Sequence, residues 1–107
     1  STMTAPTTVL ASNADKAKQM ADLLKALSHP VRLQIISVLC HVEEAHVTGL
    51  IGCLEAPQAA VSQQLALLRA RGLVEVRRGE GYAWYRLGVP YLRDLVQCLE
   101  SSPLVQG

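Results

Sequence analysis

The chain has 107 residues, half of them apolar, with ten Lys and Arg against nine Asp and Glu. That length predicts one domain with a real core but little apolar area to spare, so self-association would help it. No apolar run is long enough to span a membrane and the first residues carry no signal-peptide pattern, so the three cysteines, an odd count, are expected as reduced thiols in a cytoplasm.

Residues 1–12, STMTAPTTVLAS, are small and polar with one Pro and read as a flexible arm. Asn13 can cap a first helix over about 13–27, in which Ala17, Met20, Leu24 and Leu27 make one apolar stripe. Ser28-His29-Pro30 ends that helix and starts the next, with Ser28 as the expected N-cap and Pro30 in the first turn. Helix two, about 30–42, carries Val31, Leu33, Ile35, Ile36, Val38 and Leu39. It is apolar over most of its circumference, which predicts a buried central helix. Glu43-Glu44 marks a turn, and a short helix over about 46–54 should point Val47, Leu50, Ile51 and Leu54 inward. After the break at Glu55-Ala56-Pro57, helix four covers about 58–71, with Val61, Leu65 and Leu68 inside and Gly72 as its end. Val74 and Val76 alternate with Glu75 and Arg77, the period of a strand. Gly79-Glu80-Gly81 is the turn into a second strand, where Tyr82, Trp84 and Arg86 alternate with Ala83, Tyr85 and Leu87. A last helix begins near Pro90, with Leu92, Leu95 and Leu99 in one stripe, and residues 102–107 are a tail.

The order is helix, helix, helix, helix, hairpin, helix: a mainly α chain with a β-hairpin wing, of α+β class. Two short helices separated by a three-residue break and followed by a hairpin make a winged helix-turn-helix, within a domain expected over 13–101.

The charge is uneven. Between Pro57 and Pro90 five arginines face two acids, a net +3, while the rest of the chain is −2. A basic module on a neutral-to-acidic body suggests a polyanion partner, with a solvated arginine-rich hairpin as the alternative. Helix four turns Val61, Leu65 and Leu68 to one side and Ala59, Ser62, Gln63, Ala66 and Ala70 to the other. That second face, with Gln58 at its start, is small and hydrogen-bonding. A major groove admits such a helix: Gln and Ser can pair with base edges, and Ala can touch a thymine methyl. Arg69, Arg71, Arg77 and Arg78 flank it where phosphates would lie, supplying affinity without base choice. The wing, with Arg77, Arg78 and Tyr82, could reach an adjacent minor groove. No nucleophile elbow, P-loop or paired carboxylates suggest an enzyme.

LKALSHPVRLQIISVL (24–39) and QAAVSQQLALLRARGLVEVRRGEGYAWYRL (58–87) resemble the ArsR/SmtB family of bacterial metal- and thiol-responsive repressors. The resemblance covers roughly residues 15–100. It implies a homodimer whose first and last helices pack across the twofold axis, bound to double-stranded operator DNA and released by an inducer. The family's Cys-Val-Cys metal box aligns with His46-Val47-Thr48, and its Asp-x-His box with Val89 and Tyr91, so neither is present. One branch senses sulfide, persulfides or oxidants through a cysteine in the second helix and one in the last. Those positions align with Ser37 and near Val105, displaced from Cys40 and Cys98 by near-integral turns. By this resemblance Cys40 and Cys98 are the redox candidates, bridging on signal if their Cα atoms come within about 4.4–6.8 Å. The alternatives are a soft-metal site from Cys40, His41, His46 and Cys53, with a thiophilic metal ion as inducer, and cysteines that only pack in a constitutive regulator.

Overall fold

The computed structural model describes Ala5 and residues 8–105. Residues 1–4, 6 and 7 of the expected arm, and 106–107 of the expected tail, lie outside the described residues. Among the described residues, five helices and three strands follow in the order α1 (Ala14–Leu27), α2 (Pro30–His41), β1 (Ala45–His46), α3 (Val47–Cys53), α4 (Gln58–Ala70), β2 (Val74–Gly79), β3 (Tyr82–Leu87) and α5 (Leu92–Glu100). This is the winged helix-turn-helix expected, with one strand more. No single helix among the described residues is long and apolar enough to cross a membrane.

The helix boundaries follow from local chemistry. Asn13 Oδ1 accepts the Lys16 amide at 3.0 Å and so caps α1. The cap of α2 is not Ser28, as the sequence predicted, but His29: its Nδ1 accepts the Val31 amide at 3.1 Å, and Pro30 takes the first helical position. Gly72, in the left-handed region at φ +73°, ends α4. The Leu73 amide bonds the Leu68 carbonyl and the Gly72 amide bonds the Arg69 carbonyl, a Schellman closure that turns the chain straight into β2. The wing reverses on Glu80 (φ 58°) and Gly81 (φ 79°), two left-handed residues that match the twist of a two-residue hairpin turn.

The sheet order is β1-β3-β2, all antiparallel, with Val76 opposite Tyr85 and Arg77 opposite Trp84. The core is α2's Ile35, Ile36 and Leu39, with Leu50 from α3, Val61, Leu65 and Leu68 from α4, Val74 and Leu87 from the wing's base, and Leu92 and Val96 from α5. Helix α2 is thus the central helix its composition predicts. The base of the wing closes on α4 through Gly88. Its amide donates to the Leu73 carbonyl at 2.8 Å, and a Cβ there would sit 2.2 Å from the Gly72 carbonyl oxygen. Only glycine permits that approach.

Two helices are left half-clothed. In α1, Met20 is 43% and Leu24 54% exposed; on α5, Leu99 is 49% exposed. These are members of the apolar stripes read from the sequence, and among the described residues they are left about half exposed.

Candidate nucleic-acid interface

Helix α4 is held by its inner side. Val61, Leu65 and Leu68 are essentially inaccessible to solvent, and each is worth roughly 1.5–3 kcal/mol of burial. The second of the paired glutamines also turns inward: Gln64 is 8% exposed and its Oε1 accepts Arg32 Nη1 of α2 at 3.0 Å. Sequence reading missed this tie. The three- and four-residue spacing from Val61 and Leu68 was the signal that could have placed Gln64 inside. Arg32 Nε, buried beside it, has no hydrogen-bond partner among the described residues.

The opposite flank of α4 is open. Gln58, Ala59, Ser62, Gln63, Ala66 and Ala70 are all exposed. The helix begins at Pro57 with no side-chain cap, so its first amides are free to meet an acceptor such as a phosphate. Arg69 and Arg71 at the end of α4, and Arg78 near the wing tip, are exposed and have no carboxylate within salt-bridge reach among the described residues. Arg77 differs. Its Nε donates to Glu44 Oε2 at 2.8 Å and its Nη2 to Glu44 Oε1, and its guanidinium lies 5.5 Å from the Trp84 ring centre. The hydrogen bond from Arg77 holds the Glu44 carboxyl below its ordinary range. Of the two neighbouring arginines, one is therefore committed within the chain and one is not. Tyr82 is half exposed, with one ring face stacked on His46 at 4.6 Å.

His46, which the sequence places at the start of a helix over about 46–54, is the N-cap of α3, whose first helical residue is Val47, and it also pairs with Trp84 as the second residue of β1. A two-residue strand leaves too short a pattern for periodicity to detect. From there its Nδ1 accepts the Gly49 amide at 3.1 Å and caps α3.

The thiols are dispersed. Cys40 is buried, its Sγ 4.0 Å from the Leu92 carbonyl oxygen of α5, and burial pushes its thiol pKa up. Arg93 reaches back from α5 to donate to the Cys40 carbonyl at 3.0 Å. Cys53 and Cys98 are exposed, and all three cysteines are free. Cys98 stands six residues beyond Leu92, about 9 Å further along the axis of α5. The four residues considered for a soft metal are not gathered. Cys40 faces Leu92, His41 Nε2 meets Glu100 Oε1 at 3.1 Å, His46 caps α3, and Cys53 borders a groove between α2 and α5. Among the described residues no group of three or more His, Cys, Asp or Glu could hold a metal ion. The expectation fails because these residues sit on different faces of their elements, although they are close in sequence.

Residues 29–76 match the family described as bacterial regulatory protein, arsR family. The chain is 40% identical over 84 residues to the biofilm growth-associated repressor of Xylella fastidiosa, covering 78% of this chain and 73% of that protein. Its fold is similar to the crystal structure of the transcriptional repressor BigR from Xylella fastidiosa, at TM-score 0.78 and 38% identity, covering 87% of this chain and 94% of that one. It is likewise similar to the transcriptional repressor PagR of Bacillus anthracis, at TM-score 0.71 and 29% identity over 81% and 99% of the two chains.

Proposed function

The chain belongs to the arsR family of bacterial regulatory proteins, and from that premise we propose that it is a homodimeric repressor that leaves its operator when its thiols are oxidised or persulfidated. Residues 13–101 are the working unit, acting on cytoplasmic DNA. The observation that carries the DNA reading is the open flank of α4 with Arg69, Arg71 and Arg78 exposed around it and without a carboxylate partner among the described residues. Gln58, Ala59, Ser62 and Gln63 face base edges in the major groove, and the three arginines face phosphates. Tyr82 stands at the wing's contact with the neighbouring minor groove. Arg77 is held in the chain by Glu44 and serves the wing, not the phosphates.

The half-exposed Met20, Leu24 and Leu99 support the dimer. One copy leaves the stripes of α1 and α5 wet, and a twofold partner offers a matching face. The dimer sets the two α4 helices against successive major grooves, about one helical turn of DNA apart.

Release follows from the packing of Cys40. Its thiol lies at the α2–α5 contact beside the Leu92 carbonyl, and Arg93 of α5 donates to the Cys40 backbone carbonyl. Cys98, exposed, meets an oxidant or persulfide first. A bridge to Cys40 then removes two electrons and two protons from the pair, and on this reading α5 slides along α2 to close it, since Cys98 stands about 9 Å along α5 from the Leu92 that Cys40 meets. Either that slide or pairing with the partner's thiol reshapes a dimer interface built on α5. A bias of a few kcal/mol against the DNA-binding geometry is enough to empty an operator.

The test is a gel shift on operator-containing DNA, with disulfide oxidant, persulfide donor and reductant. Loss of binding on oxidation, restored by thiol and abolished by Cys40→Ser or Cys98→Ser, is expected. Binding indifferent to all three reagents would leave a constitutive regulator whose cysteines pack.

A further inference from the structure

His46 meets two demands at once. Its backbone is extended (φ −93°, ψ 166°) and pairs with Trp84 of the wing, while its Nδ1 accepts the Gly49 amide and starts α3. Its ring stacks on Tyr82 at 4.6 Å with the planes 20° apart, and meets Trp84 edge-on at 5.0 Å. Two neighbours brace the same joint. Glu44, two residues before His46, holds Arg77 of β2, and the Trp84 Nε1 donates to the Gly79 carbonyl at 3.0 Å. The His46 imidazole thus ties the wing to the first helix of the helix-turn-helix, with the Glu44–Arg77 pair and the Ala45–Tyr85 pairing beside it.

We propose that His46 is a positioning residue that fixes the angle of the wing to the helix-turn-helix and thereby sets whether the wing tip reaches DNA. The inference rests on the reading above that the wing contacts DNA. Strands of six residues extend about 20 Å. A hairpin held only at its base is marginal in water. A tilt of about 10° at the base moves the tip by about 3 Å, as far as a whole hydrogen-bond length. Val74 and Leu87 are buried at the base, but Arg78 and Tyr82 near the tip are exposed, so the base alone leaves the tip's direction free. The third strand that stiffens it is two residues long, and His46 is the one opposite Trp84. The chemistry also selects the residue type. Asn or Ser would cap α3 but give Tyr82 no flat partner; Phe would stack but leave the Gly49 amide without an acceptor. Imidazole does both from one site, provided that Nδ1 carries no proton.

The test uses the full chain and duplex operator DNA, with binding followed by anisotropy from 50 to 200 mM salt. Trp84 is the only tryptophan, so its emission reports the wing directly. His46→Asn keeps a cap and removes the stacked ring. Tyr82→Phe and Tyr82→Leu both lose the hydroxyl, but only Leu loses the ring. We expect His46→Asn and Tyr82→Leu to shift Trp84 emission and to reduce the salt slope by about 1.8 per dimer, the same reduction as Arg78→Ala, two phosphate contacts at about 0.9 each. Tyr82→Phe keeps the stacked ring and should leave Trp84 emission as in the wild type, and adding Arg78→Ala to His46→Asn should cost nothing more in salt slope. If Arg78→Ala lowers the slope while His46→Asn and Tyr82→Leu bind like wild type, the positioning role is refuted and the wing reading stands. If Arg78→Ala also leaves the slope unchanged, the wing does not touch DNA and both fall. Should His46→Asn not fold, the comparison of Tyr82→Phe with Tyr82→Leu decides alone.

Discussion

Arg78→Ala is the sharpest probe of how this protein holds DNA, because its neighbour serves as a built-in control. Arg78 is exposed and carries no carboxylate partner among the described residues, whereas Arg77 is bound by Glu44 through two hydrogen bonds. A phosphate contact releases about 0.9 counterion, so a dimer losing two contacts loses about 1.8 from its log–log salt slope. Between 50 and 200 mM salt, a fourfold change, that slope difference amounts to about a twelvefold change in relative affinity. The ratio of wild-type to Arg78→Ala affinity should therefore shrink about twelvefold as salt rises across that range. Arg77→Ala should lower the slope less than Arg78→Ala, since the lost group was not neutralising phosphate and acts only through the brace that Glu44 and Arg77 give the wing. Anisotropy titrations at four or five salt concentrations, on operator and on unrelated duplex, measure both. The loss with Arg78→Ala should be the same on the two DNAs, because phosphates carry no sequence. Equal slopes for Arg78→Ala and wild type, or a slope reduced by Arg77→Ala instead, would overturn the assignment.

Gln63→Ala should flatten base preference at one operator position by about 1–3 kcal/mol if its contact is bidentate, as read by binding to a panel of single-base variants; an unchanged preference removes Gln63 from the interface. Gly88→Ala should destabilise the fold by about 2–4 kcal/mol, because its Cβ would lie 2.2 Å from the Gly72 carbonyl oxygen, and thermal unfolding checks it. Alkylation followed by mass spectrometry should label Cys53 and Cys98 well before Cys40, which is buried with its thiol pKa pushed up by desolvation; equal rates would show that the α2–α5 contact opens freely. Glu100 is held below the ordinary carboxylate range by hydrogen bonds from Ser37 and then His41. A depressed folded value means the clamp contributes fully above the usual carboxylate range and is lost as pH falls through and below it. Acid titration should loosen α5 in that window in wild type, and Ser37→Ala should blunt the effect.

What was legible in the chain by itself was whatever rests on local periodicity and turn chemistry. The apolar stripes of α1, α2 and α4 placed their helices to within a residue or two, because a helix facing a core must repeat its apolar side chains every three or four positions. Gly72 and the Gly79-Glu80-Gly81 turn announced the wing for an equally local reason: few residues other than glycine tolerate a positive φ. The outward flank of α4, with Ser62 and Gln63, followed from the same periodicity. What only the tertiary structure decided were the partnerships between segments distant in sequence. Nothing near Arg77 distinguishes it from Arg78, yet Glu44, 33 residues away, claims one and leaves the other. Ala45 and His46 form a strand only because β3 lies alongside, and His46 gains its double role from Tyr82. Cys40 and His41, adjacent in the chain, part company because a helix turns consecutive side chains by about 100°, one onto the Leu92 carbonyl and the other onto Glu100. Pairing energy depends on which surfaces meet, and which surfaces meet is a property of the packed chain as a whole.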